Sequence, residues 1–413
     1  MDNELFTRRT TCRICGYDRL KTILNLGVTP LADRFISDPN EKEIRFPLVV
    51  TVCPKCWLVQ LLIDVQDKML FGEDYGFYCG SSPSSIAYFK DYADDLFAQF
   101  PKSANKFVVE IASNDGTLLK NFIEREVKVL GIDPAPNVVS QALIDNIPTL
   151  PNFFKKKIAK EISVSYGKAS MIIANNVVAH VTDLNDFMQG IKILLSEDGL
   201  FVFEVQYVPH LIFNCEFDNV YHEHRSFFSV IALNKLLSQN GLRIFNVQET
   251  SAQGGSIRVF AEHKQPLDHD SPILLEYIAQ EEELGLNTLA IYQSLQERAN
   301  YLKLQLVKLL TELYDQGKMV YGYGASAKSN TLLNYCGIDG HLIWVLVDKT
   351  PYKYGKLTPG SHIRIVEQGT VPDPDYYLLL VWNYLDGILE REKEFREKGG
   401  KFIVPVMHLP KII

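Results

Sequence analysis

Four cysteines near the N-terminus, Cys12, Cys15, Cys53 and Cys56, constrain this chain more than any other feature. They form two Cys-x-x-Cys knuckles, the usual way of holding tetrahedral Zn²⁺. The two-residue spacer turns both sulfurs of a knuckle toward one ion. The gap between the knuckles exceeds that of the commonest zinc ribbons, so a folded segment must close it. Two unrelated redox or packing pairs are the alternative, but all four thiols fall in one short module. Four cysteines leave no open coordination position, so the expected metal is structural. Residues 1–80 alone would bury little core without it.

The rest of the composition suits a soluble globular protein. The 413 residues are 46% hydrophobic and 22% charged, consistent with two or three domains. No apolar run is long enough to span a bilayer, so neither a membrane partner nor a leader peptide is expected. A net charge of -8 gives no support to nucleic-acid binding. The remaining cysteines, Cys79, Cys215 and Cys336, are odd in number and suit a reducing cytoplasm. A monomer or weak homodimer is expected.

The chain divides into a zinc-binding module (1–80), an α/β domain (81–270), a helical linker (271–315) and a second, smaller α/β domain (316–413). In the first α/β domain, buried strands at Phe107–Ile111, Val127–Ile132, Met171–Ala174 and Gly199–Val205 alternate with helical segments. That alternation predicts a doubly wound parallel sheet. Arg243–Thr250 and Ser256–His263 read as two later edge strands. After the helical linker, the alternation restarts at Met319–Gly324.

In such sheets ligands bind beyond the carboxyl ends of the strands. The first strand ends in Glu110, Ala112, Asn114, Asp115 and Gly116, the second in Asp133. A carboxylate at the second tip can accept both hydroxyls of a ribose. Without the Gly-x-Gly-x-x-Gly that admits a pyrophosphate, the pattern fits a nucleoside cofactor such as S-adenosylmethionine. Incidental acids on a plain turn are the alternative. Asn175, after the third strand, joins the candidate cofactor residues.

A second cluster follows the fourth strand: Tyr221, His222, Glu223 and His224. A histidine near its ordinary pKa is a fit general base; a tyrosine can relay and a carboxylate can orient the imidazole. His180 follows the third strand and is expected in the same pocket. Metal binding by the His-x-His pair and a plain polar loop are the alternatives. In the last domain, Gly322, Gly324, Ser326 and Lys328 form a strand, glycine turn and helix start, a candidate anion site. A packing turn reads the same way.

Taken in order, these motifs resemble one family. Cys12 and Cys15 are followed by the run Leu26–Phe35, then by Cys53 and Cys56. Glu110–Gly116, His180 after Asn175 and Asn176, Tyr221–His224, Gly254–Arg258, Gly322–Lys328 and Asp348–Pro351 complete the set. The chain resembles the C-methyltransferases of nucleotide-linked 4-keto-6-deoxyhexoses, enzymes that make branched sugars such as mycarose. The resemblance implies a zinc module, a class I methyltransferase sheet and a C-terminal Rossmann-like domain, with a nucleotide-diphosphate sugar between them. It implies C-methylation, most simply at C3, through an enolate. It aligns Tyr221, Glu223 and His224 with the catalytic tyrosine, glutamate and base, and His180 with the keto group. It aligns Tyr75 with an N-terminal active-site tyrosine, for which Tyr78 competes. Tyr78 and Asn176 join Gly322, Gly324, Ser326 and Lys328 as substrate-binding candidates. Ala112 departs from the family's frequent glycine. The rivals are methylation of another carbon or an oxygen, a non-catalytic nucleotide-sugar-binding protein, and an NAD-dependent sugar enzyme using the C-terminal glycines.

Overall fold

The computed structural model describes residues 5–71, 76, 78–250, 254–406 and 409–413. Tyr75 lies outside the described residues. Seven strands build the first sheet: β1 (Phe107–Ile111), β2 (Lys128–Ile132), β3 (Thr149–Leu150), β4 (Ala169–Asn175), β5 (Leu195–Gln206), β6 (Leu242–Thr250) and β7 (Ser256–His263). Their order is β6-β7-β5-β4-β1-β2-β3. β7 runs opposite to the other six strands, antiparallel to both β5 and β6. Every residue of β1 is buried, as expected for a strand covered on both faces. The strand order reverses between β1 and β4, which opens the ligand crevice at their carboxyl ends. Helix α1 (Pro83–Gln99) starts with Pro83 at its first position, and Ser82 Oγ accepts the Ser85 N–H. It buries Tyr92, Ala93 and Leu96 against this domain.

The N-terminal module holds more sheet than its sequence suggested. Lys21–Pro30, Arg45–Val52 and Val59–Leu61 pair in antiparallel order, and Ser226–Phe227 adds a fourth strand from far along the chain. The first pair slips register between Thr22 and Leu24 and between Asn25 and Val28. Those slips break the two-residue alternation by which strands are recognised.

The segment expected as a linker does more than connect. Helix Pro272–Glu283 packs Leu274 and Tyr277 into the core of the first α/β domain, and the Glu281 carboxylate accepts the N–H groups of Val230 and Ile231 at 2.5 and 2.9 Å. Helix α2 (Leu289–Asp315) buries Tyr292, Leu295, Ala299, Leu302, Leu306 and Leu310, a stripe at helical spacing. Its Tyr292 stacks on Trp57 of the N-terminal module, and Arg298 donates to the carbonyls of Ile212 and Phe213. One helix therefore touches the first two domains while leading into the third.

The C-terminal sheet has six strands, in the order Ile365–Glu367, Leu346–Asp348, Val320–Tyr323, Tyr376–Leu379, Lys401–Val404 and Lys411–Ile412. All pairs are parallel except the last. Helix α3 (Ala327–Cys336) follows its first strand through a Ser326–Ser329 capping box. Among the described residues, no helix is long and apolar enough to cross a membrane.

Candidate active site

The turn after β1 is shaped by left-handed backbone at Ala112 (φ 56°) and Asn114 (φ 54°). Asp133 ties this turn to the next one: its Oδ2 accepts the Asn114 N–H at 3.0 Å and its Oδ1 the Ala135 N–H at 2.9 Å. Glu110, Asp115 and Asp133 converge here, all buried. Burial, then Asp115 and Asp133, push the Glu110 carboxyl well above the usual range, and its Oε2 has no hydrogen-bond partner among the described residues. A buried cradle rich in acceptors, with one of them unspent, fits a cationic ligand with donor groups, as S-adenosylmethionine is. Asn175 Oδ1 accepts the Tyr92 hydroxyl at 3.1 Å, while its buried Nδ2 is unspent.

The segment at the end of the N-terminal module closes over this cradle. Cys79 N–H donates to Asn114 Oδ1 and Gly80 N–H to Asp115 Oδ2, both at 2.8 Å. Tyr78, expected on the substrate, instead accepts from Asn137 Nδ2 at 2.8 Å, just beyond Asp133.

The histidine cluster forms a connected unit. Tyr221 Oη lies 2.7 Å from His224 Nε2, and His224 Nδ1 lies 2.8 Å from the Asn219 carbonyl oxygen. A carbonyl only accepts, so Nδ1 carries the proton and Nε2 takes the tyrosine O–H. The His180 ring meets the His224 ring edge-on, with centroids 5.0 Å apart. Burial, then Arg225, lowers His180 to about 4; burial, then His180, holds His224 well below 6.5. Both imidazoles are neutral at pH 7. Tyr221 is the more open of the dyad, with His224 buried behind it.

Glu223 departs from its expected role as orienter. Both nitrogens of His224 are already engaged, by Tyr221 and by the Asn219 carbonyl. Glu223 is buried, its Oε2 is unspent, and burial with neighbouring Asp33 raises it to about 8. Burial and the nearby Asp33 thus favour its protonated, neutral form. His222 turns away and packs against Phe46. Asn176 sits at the β4 tip with φ 53°, its N–H on the Glu204 carbonyl at 2.9 Å.

The C-terminal glycine turn is filled by protein. A Cβ on Gly322 would meet Leu346 at 2.8 Å, and one on Gly324 would meet Val381 at 2.6 Å. The Ser326 hydroxyl is spent in the helix cap. Lys328, expected at an open anion site, is buried instead. Its Nζ lies 5.1 Å from the Trp382 ring centroid, and Asp218 and Glu216 are its charged neighbours. Trp382 Nε1 donates to Asp218 at 2.6 Å, and Thr331 Oγ1 donates to the Val220 carbonyl at 3.0 Å. Helix α3 therefore braces the turn Phe217–Asn219, whose last carbonyl sets the His224 tautomer.

Sequence reasoning missed Asn219, because a backbone carbonyl leaves no residue signature. It also missed a rim built by Phe35, Tyr352, Lys353 and Lys356. Lys353 Nζ lies 5.1 Å from the Phe35 ring and 5.7 Å from that of Tyr352; Lys356 Nζ lies 5.1 Å from Tyr352. Tyr352 is 43% exposed, and its hydroxyl sits against Gly76.

The four cysteines do come together. Cys12 and Cys56 sulfurs lie 3.4 Å apart, Cys15 and Cys53 sulfurs 3.6 Å, and all four lie within 4.8 Å of one another. Tetrahedral zinc with Zn–S bonds of about 2.3 Å needs sulfurs about 3.8 Å apart, so the set fits a closed structural site.

Comparisons with known proteins agree with this architecture. Residues 12–71 match a family model for a zinc binding domain, 86–247 a methyltransferase domain, and 251–407 a C-methyltransferase C-terminal domain. The chain is 36% identical over 407 residues to the C-methyltransferase NovU of Streptomyces niveus, covering 97% of this chain and 96% of that one. A ubiquinone biosynthesis O-methyltransferase of Rhodopseudomonas palustris is 24% identical over 125 residues, covering 29% of this chain and 49% of the relative. Among solved structures, magnesium protoporphyrin IX methyltransferase of Synechocystis PCC 6803 with bound S-adenosylmethionine aligns at 14% identity and a TM-score of 0.33. That alignment covers 44% of this chain and 79% of the other. The fold and the paired knuckles define a class I methyltransferase with a zinc module. More narrowly, the chain belongs to the NovU-like C-methyltransferases and is an S-adenosylmethionine-dependent C-methyltransferase.

Proposed function

We propose that this enzyme methylates C3 of a nucleotide-linked 4-keto-6-deoxyhexose through an enolate. The observation that carries the reading is the Tyr221–His224 dyad, with the ring of His180 edge-on to His224 and the buried Glu223 between them in sequence. A 4-keto group acidifies the proton on C3. Tyr221, the more open of the pair, takes that proton as its own passes to His224 Nε2, and the Asn219 carbonyl holds the resulting imidazolium. His180 and the Glu223 carboxyl donate to the oxygen on which enolate charge develops; such preorganised donors are often the largest catalytic contribution. S-adenosylmethionine, when bound, supplies the sulfonium methyl that the nucleophilic carbon attacks. The test is incubation with methyl-labelled S-adenosylmethionine and a panel of nucleotide 4-keto sugars, with NMR of the product. A new quaternary methyl at C3 supports the reading; label on oxygen or at another carbon replaces it.

The cradle binds the cofactor in this reading, with Glu110, Ala112, Asn114, Asp115 and Gly116 lining it and Asp133 and Asn175 beside it. Asp133 retains lone pairs for the ribose hydroxyls. Asp133→Ala should weaken S-adenosylmethionine binding by about 1–3 kcal/mol in calorimetry. Unchanged affinity would remove Asp133 from the site.

Glu223 gives a pH signature. A group raised to about 8 is protonated and able to donate below that pH, and ionises above it. Activity should therefore fall as pH rises through about 8. Glu223→Gln keeps a donor that cannot ionise, so the alkaline limb should move upward while activity at neutral pH persists. An unmoved limb would assign it to another group.

The nucleotide end fits the rim better than the glycine turn. The Tyr352 face can stack a base, and Lys356 flanks it as a diphosphate partner, while Lys353 is held by the Ala325 carbonyl at 2.7 Å and by Asp348. Tyr352→Ala and Lys356→Ala should each raise KM for the nucleotide sugar and spare cofactor affinity. If only Lys328→Ala does so, the diphosphate lies at the turn of Gly322, Gly324 and Ser326 after all.

A further inference from the structure

The loop bearing His224 is built into the zinc module. Arg225, next in sequence, is 1% exposed. Its Nη1 donates to the His180 carbonyl at 2.9 Å and to the Thr182 hydroxyl. Its Nη2 donates to the Val65 carbonyl and pairs with Asp67, both at 2.7 Å. Its Nε lies 3.7 Å from Asp64, which also pairs with Arg13 at 2.6 Å and Arg9 at 2.5 Å. Arg13 lies between the two cysteines of the first knuckle. A single ionic cluster thus joins that knuckle to the backbone of His180.

A second route runs beside it. Leu61 N–H donates to the Arg225 carbonyl at 3.0 Å, and Ser226 pairs with Gln60. Gln60 Oε1 in turn accepts the Arg13 N–H at 2.9 Å. The knuckle also rests on the methyltransferase domain: Asn185 Nδ2 donates to the carbonyls of Arg13 and Ile14, each at 3.1 Å. Wrapping the four thiolates around a metal fixes where the Arg13 backbone and guanidinium sit. Without that constraint, both routes into the His180 and His224 loops lose their fixed end.

We infer that Arg225 is a positioning residue, which holds His180 and His224 in register by clamping their loops to the Asp64–Arg13 side of the zinc knuckle. Arg225 is enclosed and its donors are turned to protein groups, so it acts through the two histidines. The roles of those histidines rest on the proposed reaction, but the clamp itself can be read without turnover.

The test uses full-length, zinc-loaded protein carrying ¹⁵N-histidine. Arg225→Met should keep one zinc per chain and near-normal S-adenosylmethionine affinity, and lower kcat by about 10²-fold with little change in KM, as misplacement of reacting groups does. The His180 and His224 imidazole resonances should shift. Arg225→Lys should restore part of both effects. Should Arg225→Met not fold, Asp67→Ala, which removes only the outer partner, should give a smaller change in the same direction. Unchanged imidazole resonances in the folded variants would overturn the clamp, as would a fall in kcat that merely tracks lost zinc or lost cofactor binding. If the wild-type enzyme turns over no nucleotide 4-keto sugar, the proposed reaction fails while the imidazole spectra still decide the role of Arg225.

Discussion

His224→Asn is expected to abolish methyl transfer while leaving both ligands bound. Loss of a general base typically costs about 10²–10⁴-fold, and asparagine has no nitrogen that can take up the proton. The same variant should stop deuterium exchange at C3 of the keto sugar in D₂O, because proton removal precedes carbon–carbon bond formation in an enolate mechanism. Tyr221→Phe is informative beside it. Sequence alone favours His224 as the direct base with tyrosine assisting. The geometry puts the Tyr221 hydroxyl on His224 Nε2, with the imidazole buried behind it. A relay then predicts that Tyr221→Phe loses exchange nearly as completely as His224→Asn. A direct histidine base predicts a milder loss, because phenylalanine would leave Nε2 free. Burial and His180 hold His224 well below 6.5, so it stays able to accept a proton through that pH. Its acid limb should therefore appear below pH 6.5. Near wild-type exchange by His224→Asn would remove the dyad from the mechanism.

The sheet that carries the cofactor cradle was legible because β1, β2, β4 and β5 are buried runs bounded by turns and helices. Such runs have few other ways to satisfy their backbone. The place of Asp133 at the tip of β2, tied to the turn after β1, was legible for a related reason: its distance from the first turn is fixed by one helix and one strand. The N-terminal sheet was not, since irregular register hides its alternation and its fourth strand, Ser226–Phe227, pairs across a great length of chain. The glycine turn misled because a phosphate and a neighbouring side chain ask the same thing of a glycine. Leu346 and Val381 occupy the space that a ligand would need. Lys328 followed that error: at the start of α3 its sequence position suits an anion, but Asp218 and Glu216 supply the negative charge from the protein itself. Glu223 was expected to orient His224, a task done by the Asn219 carbonyl. Only tertiary structure could reveal that exchange, since any residue at 219 would offer the same oxygen.

Cys12→Ser should have the largest effect on stability. The N-terminal module has five strands among its described residues, several of them short or irregular, and it shares much of its apolar core with the other domains; Arg13, Asp64 and Arg225 are buried against it. Buried charges are tolerable only while their partners stay in place. The metal keeps them there: binding free energies of structural zinc sites are on the order of 10 kcal/mol and appear as folding energy. Removing one thiolate opens the tetrahedron to water and weakens the metal greatly. Metal analysis of the purified variant should find zinc lost, and its thermal unfolding should begin at much lower temperature, with the N-terminal module melting first. Activity should fall with it although no cysteine touches the reaction, because Ser226–Phe227 and the His224 loop hang on that module's sheet. Cofactor affinity should fall less, since β1, β2 and β4 lie in a separate sheet. A metal-free wild-type protein, purified without chelators and fully active, would remove zinc from this account and leave the four thiols as packing.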